Sequence, residues 1–248
     1  MSTLGALRVP VGTRREFIST IFGPESLLLV TTSFATSSVK AYEGNTSDYE
    51  YNEISFSSVE EIARYIKQHC NSNFLQSVKA SEYNFLYRGL SAEGEVILTH
   101  SKQRNDKNVS AVLIKNEPYD LLDLATYQSA DAASYFQSLE DKLSSAGSSI
   151  KPSNSHLGTT CPKEAAKWGM AVSIWPLGED GVEFAWLENG GIFWPAKINE
   201  LNGRSLINAG LDMALQGDAG EIMFRADHGF IAVPAQLDSA LKSCLKNF

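Results

Sequence analysis

Cysteine is scarce in this chain. Cys70, Cys161 and Cys244 are odd in number and far apart, without the short paired spacings of a zinc site or a disulfide framework. That scarcity fits a reducing compartment. Long apolar runs are also missing near the start, where Leu27–Val30 is too short to span a bilayer or to act as the apolar core of a secretory leader, and Arg14-Arg15 does not precede such a core. Basic charge is short as well: 21 Lys and Arg stand against 29 Asp and Glu, a formal net charge of -8. This argues against gripping nucleic acid through a broadly basic surface, because such binding works by neutralising phosphates, while a local basic patch stays open. His69, His100, His156 and His228 have no metal-ligand spacing and read as surface or packing residues, so no metal site is expected. The pairs Asp212 with Asp218 and Glu179 with Asp180 read as solvated charge.

What is present is enough for a globular core. The 248 residues are 43% hydrophobic and 10% aromatic, which suits one large domain or two small ones. Residues 1–78 are a candidate N-terminal subdomain of strands and a helix, and 79–248 the main domain. In the first, Ser26–Phe34 reads as a buried strand and Gly44–Asp48 as a loop, and Tyr49, Tyr51, Ile54 and Phe56 form an edge-like strand. Ser58, three residues ahead of Glu61, marks a helix start, and Val59, Ile62, Ala63, Ile66 and Cys70 repeat at helical spacing, the helix running to about His69.

Phe85–Leu90 reads as a strand. Glu95–His100 reads as another, after a tight turn at Ser91–Gly94, and Ser101–Asn108 as a loop. Pro118–Leu124 and Ala132–Leu143 look helical, and Ser144–Ser155 is a long connection. Beyond it come Leu157–Thr160, a short helix Lys163–Trp168, strands at Met170–Ile174, Gly181–Leu187 and Ile192–Ala196, and a helix at Ser205–Leu215. Strands at Glu221–Phe224 and Phe230–Val233 precede a closing amphipathic helix, Gln236–Leu245. Strands in neighbouring groups with helices gathered between them favour an α+β fold with largely antiparallel pairing.

The feature that asks for a function is Arg88, inside the apolar run Phe85-Leu86-Tyr87-Arg88-Gly89-Leu90. A cation in such a run is costly without a counter-charge, so it calls for an anionic partner, either a structural carboxylate or a ligand. Two later stretches can complete a site. Gly158-Thr159-Thr160 precedes a helix, and Glu221 heads Ile222-Met223-Phe224. The threonines are equally at home as ordinary helix-entry residues. Cys161 also precedes a helix start, but no His or Asn pattern accompanies it as a nucleophile would require.

Taken together, these three stretches resemble the mono-ADP-ribosyltransferases of the Arg-Ser-Glu class. In that family an aromatic-Arg-Gly strand is followed by a Ser-Thr-Ser strand leading into a helix with an alanine and an aromatic, and then by a glutamate opening a late strand. Leu86-Tyr87-Arg88-Gly89 matches the first, Gly158-Thr159-Thr160 with Pro162, Lys163, Ala166 and Trp168 the second, and Glu221-Ile222-Met223-Phe224 followed by Gly229–Val233 the third. The resemblance covers about residues 82–235. It implies two largely antiparallel sheets around an NAD cleft, with NAD as co-substrate and a macromolecular acceptor, a protein in the first instance. It also implies catalytic roles for Glu221 and Thr159, and cofactor binding by Arg88, Gly89, Thr160 and Trp168, with Tyr87 and Phe230 as further stacking candidates. Gly158 stands where the family has its first serine. Ala219 stands where members that modify arginine carry Glu or Gln, and a helix-like segment, Gly203–Leu215, is inserted before Glu221. An NAD glycohydrolase, in which water replaces the acceptor, and a non-catalytic binding module of the same fold are the alternatives.

Overall fold

A computed structural model describes residues 50–90, 92–104, 108–115, 130–145, 147–187, 206–207, 211–216 and 220–247. The expected strands at Ser26–Phe34 and Ile192–Ala196, the loop at Gly44–Asp48 and the helix at Pro118–Leu124 lie outside the described residues.

Strand β1, Glu50–Phe56, ends where Ser58 caps helix α1, Val59–His69. The Glu61 amide donates to Ser58 Oγ at 3.3 Å, and the Glu61 carboxylate reaches back to accept from the Ser57 amide at 2.7 Å. This is the reciprocal capping read from the sequence, displaced by one residue on the return leg. Ile62, Ala63 and Ile66 form the buried stripe of α1. A second helix, α2 (Ser72–Ala80), follows at once and has no counterpart in the sequence reading. Its cap is Asn71, whose Oδ1 accepts from the Phe74 amide at 2.9 Å while its Nδ2 donates to the carbonyls of Gly178 and Glu179 at 3.0 and 3.2 Å. One side chain thus starts the helix and pins it to a distant turn.

Strand β2, Tyr87–Leu90, is followed by helix α3, Ala92–Arg104. The expected strand at Glu95–His100 and the tight turn before it are therefore corrected, as is the loop reading of residues 101–104. Val96, Ile97 and Leu98 favour strands, but Ala92, Glu93 and Glu95 open a helix with acids in its first turn. Burial decides between the two: Gly94 and Leu98 are buried, four apart, while Val96 is 51% exposed. That is a helical rather than an alternating pattern. β3, Val109–Lys115, packs beneath α3 and is a strand the sequence reading passed over.

Helix α4, Ala130–Ser145, then leads through a short 3-10 turn, Pro152–Asn154, to β4, His156–Thr159. A one-turn helix α5, Pro162–Ala165, continues as a 3-10 turn, Ala166–Trp168, into β5, Met170–Pro176. β6 (Val182–Leu187), β7 (Leu206–Ile207), helix α6 (Leu211–Gln216), β8 (Glu221–Ala226) and β9 (Phe230–Pro234) follow, and helix α7, Asp238–Lys246, closes the described chain. The helix expected over Ser205–Leu215 is thus corrected at its start, where Leu206–Ile207 is a strand.

The strands form a single sheet in the order β1-β3-β9-β5-β2-β4-β8-β6-β7, with every pairing antiparallel. The α+β class holds, while the two sheets implied by the resemblance are one continuous sheet among the described residues. β1 lies at one edge, as its imperfect alternation suggests, and residues 50–78 share the sheet and core with the later chain. Aromatic rings meet within a largely aliphatic core. Phe74 meets Trp175 edge-on at 5.9 Å and stacks on Phe184 at 5.6 Å, and Phe85 meets Trp175 at 5.0 Å. No helix among the described residues is long and apolar enough to cross a membrane.

Gly229 holds the turn from β8 to β9, where the chain passes from one part of the sheet to another. Its φ is +81°, and a Cβ there would lie 2.2 Å from the Ile114 carbonyl oxygen. Gly229→Ala is expected to destabilise the fold by at least about 2 kcal/mol, read as a lower urea midpoint at unchanged slope, because strain and overlap add.

Candidate functional site

The sheet has a seam. β2 and β4 are joined by one residue pair, Tyr87 opposite Thr159, whereas β4 and β8 pair over four residues, His156–Thr159 against Glu221–Phe224. Because neighbouring strands are antiparallel, the start of β2, the end of β4 and the start of β8 lie at the same end of the sheet. Tyr87, Thr159 and Glu221 then form one cross-strand line at that end. Two strand spacings separate Tyr87 from Glu221, roughly 10 Å between backbones.

Thr159 is 8% exposed, and its Oγ1 accepts from the Cys161 amide at 3.2 Å, so the hydroxyl helps turn the chain into α5. Thr160 donates its amide to the Gly220 carbonyl at 3.2 Å, tying the chain after β4 to the residue before Glu221. Glu221 is half-buried at the head of β8. The structure thus brings Thr159, Thr160 and Glu221 together. Ala219 and Asp218 lie outside the described residues.

Arg88 is adjacent but faces differently. Alternation along β2 sends its side chain away from the side that Tyr87 and Gly89 face. Its guanidinium carbon stands 5.6 Å from the ring centre of Phe230, within cation–π range. Phe230 in turn packs edge-on against Phe224 at 5.5 Å and His156 at 5.7 Å. His156 is buried in this aromatic wall, the packing role expected of it.

Gly89 and Trp168 meet at a separate point, further along β2. A Cβ on Gly89 would lie 2.5 Å from the Trp168 carbonyl carbon and 2.8 Å from the Ala165 carbonyl oxygen. The glycine of the aromatic-Arg-Gly triplet is therefore required by the helical segment that crosses β2. Trp168 is 41% exposed there. Gly158 has a similar explanation: a Cβ would come within 2.9 Å of Leu86 Cδ1 and 3.1 Å of the Tyr87 carbonyl oxygen. A serine at this position needs Leu86 to move.

One group at the seam escaped the sequence reading. Asp238, the first residue of α7, faces the hydroxyls of Tyr87 and Ser173. Burial pushes its carboxyl up to about 6, and those two hydroxyls act in the opposite direction. Burial, and then the neighbouring Asp238, push the Tyr87 phenol up as well. Asp238 Oδ1 is buried and meets no hydrogen-bond donor among the described residues. In sequence, an Asp before an amphipathic run signals a helix start. Nothing local tells that it turns inward.

Among the described residues no group of three or more His, Cys, Asp or Glu can hold a metal ion. A cavity of about 320 Å³ opens elsewhere, lined by Asn71, Phe74, Glu179, Glu183 and Phe184 among others, and none of the candidate residues borders it. Comparisons with protein-family models, curated proteins and solved structures return no match.

Gly89→Ala is expected to lower stability by about 1–3 kcal/mol, the usual cost of overpacking, and to displace the segment carrying Trp168. Urea unfolding and tryptophan emission report the two effects. An unchanged midpoint and spectrum would show that the segment does not press on β2.

Proposed function

We propose that this protein is an NAD-dependent mono-ADP-ribosyltransferase acting on a macromolecular acceptor. The observation that supports the reading best is that three stretches far apart in sequence lie on three adjacent strands, β2, β4 and β8, with Thr159 and Glu221 paired directly. The sheet is weakest between β2 and β4, where a single pair joins them. Arg88 and Glu221 leave opposite faces of the sheet, so in this reading they act on different parts of an extended ligand at the seam.

In this reading the bond between nicotinamide nitrogen and ribose C1′ breaks, and nicotinamide leaves with the bonding electrons. Positive charge develops on the ribose, and the Glu221 carboxylate stabilises it. An acceptor nucleophile then bonds to C1′ and loses its proton. Arg88 holds the pyrophosphate through paired, charge-assisted hydrogen bonds, with Phe230 backing the guanidinium. Thr159 and Thr160 orient the carboxylate end of the site, and Trp168, held over Gly89, borders a more distant part of the cofactor. The engagement of the Thr159 hydroxyl with the Cys161 amide favours the other class of reading, a binding module in which this threonine is structural.

Incubation with NAD is expected to release nicotinamide and to transfer labelled ADP-ribose to added protein. Release without transfer would point to a glycohydrolase, and no release with any acceptor would support the binding module. Glu221→Gln keeps the side-chain shape and removes its charge, so kcat is expected to fall by about 100-fold or more. Arg88→Lys is expected to raise KM for NAD with a smaller effect on kcat, because a point charge replaces a planar fork. Full activity in the glutamine variant would remove Glu221 from the chemistry.

A further inference from the structure

Helix α7 grips the Arg88-bearing segment at both of its ends. At its start, Asp238 faces Tyr87 on β2 and Ser173 on β5. At its finish, the Tyr83 hydroxyl donates to the Leu245 carbonyl at 3.3 Å, and Lys246 Nζ stands 5.6 Å from the centre of the Tyr83 ring. Between these points Leu241 and Leu245 are buried. The gripped segment is strained: Glu82 and Tyr83 have φ of +60° and +64°, which residues other than glycine keep only when their surroundings hold them.

We propose that α7 is a proton-controlled clamp on β2, tight when the Asp238 carboxyl is neutral and loosened when it is charged. The geometric reason is the buried Oδ1, which has no donor among the described residues. A neutral carboxyl tolerates that position, whereas a carboxylate there loses its hydration without full replacement. The groups facing Asp238 are the Tyr87 phenol from β2 and the Ser173 hydroxyl from β5, and no charged neighbour contributes to its shift. Ser173 is partly committed elsewhere, accepting from Trp175 Nε1 at 3.2 Å and donating to the Val233 carbonyl at 3.4 Å. Cys161, from the connection between β4 and α5, acts on Tyr87. From α1, Glu60 faces Cys244, nearly two turns further along α7. The positive end of the helix favours the charged form and offsets part of the effect.

The direction follows from linkage. The folded carboxyl titrates at about 6 against an ordinary value of 3.8, so the folded state holds the proton more tightly than the unfolded chain. The stabilisation is full below the ordinary value and is lost as pH rises through about 6. The clamp acts on the strand that carries Arg88, whatever that arginine binds, and testing it requires no NAD.

Hydrogen–deuterium exchange of the whole chain, corrected for intrinsic rates, tests it between pH 5 and 7.5, with Asp238→Asn as the comparator. Protection over 83–90 and 239–247 is expected to fall roughly tenfold more in the parent protein than in the variant. An equal pH dependence in both proteins, or protection that rises with pH only in the parent, would overturn the clamp. Should the asparagine variant fail to fold, the carbon-13 titration of the Asp238 carboxyl in the parent decides. A midpoint near 6 is expected, and a midpoint near the ordinary value of 3.8 would overturn the proposal.

Discussion

Among the described residues, the pairing of Tyr87 with Thr159 joins what would otherwise be two sheets. On one side of it stand β1, β3, β9, β5 and β2, and on the other β4, β8, β6 and β7. Strands that share a single pair cannot share a long ladder of backbone hydrogen bonds. The side chains and connections around the seam must supply the remaining cohesion. Thr159 turns the chain into α5, Thr160 ties that turn to Gly220, and the segment after α5 crosses back over Gly89. Among the described residues β2 and β4 share no pair beyond this one, and Thr159 and Glu221 stand beside the point where the two halves still meet.

β2 is constrained at every step. Tyr87 faces a partly buried carboxyl, Arg88 stands over an aromatic ring, and Gly89 lies under a helical segment with no room for a methyl group. Three consecutive residues have three unrelated demands. This accounts physically for a triplet that otherwise reads as a motif. Tyr87 and Gly89 are explained by packing, and Arg88 meets the Phe230 ring through its guanidinium, a contact that uses its positive charge.

β2, β8 and β9 were legible in the sequence because each is short and largely apolar, with a turn glycine, Gly229, between the last two. The cap at Ser58 was legible for the same local reason. α3 was misread because Val96, Ile97 and Leu98 carry strand propensity, while the approach of Gly94 to Leu90, the burial of Leu98 in the core and the packing of the helix on β3 decide for a helix. α2 was missed because Asn71 caps it directly behind the end of α1, leaving no loop to announce it. At the site, the order of Arg88, Thr159 and Glu221 was readable, but their facing was not. Register comes from long-range pairing, and a shift of one residue reverses every side chain. Asp238 was invisible for a related reason, since its partners are 151 and 65 positions away, at Tyr87 and Ser173.

In the proposed function NAD binds at the seam. The most direct measurement is a crystal structure of the protein soaked with NAD or a non-hydrolysable analogue. The nicotinamide ribose is expected beside Glu221 and Thr159, with the pyrophosphate within hydrogen-bonding distance of Arg88. A cofactor seated elsewhere, or the guanidinium of Arg88 turned away from the phosphates, would contradict it.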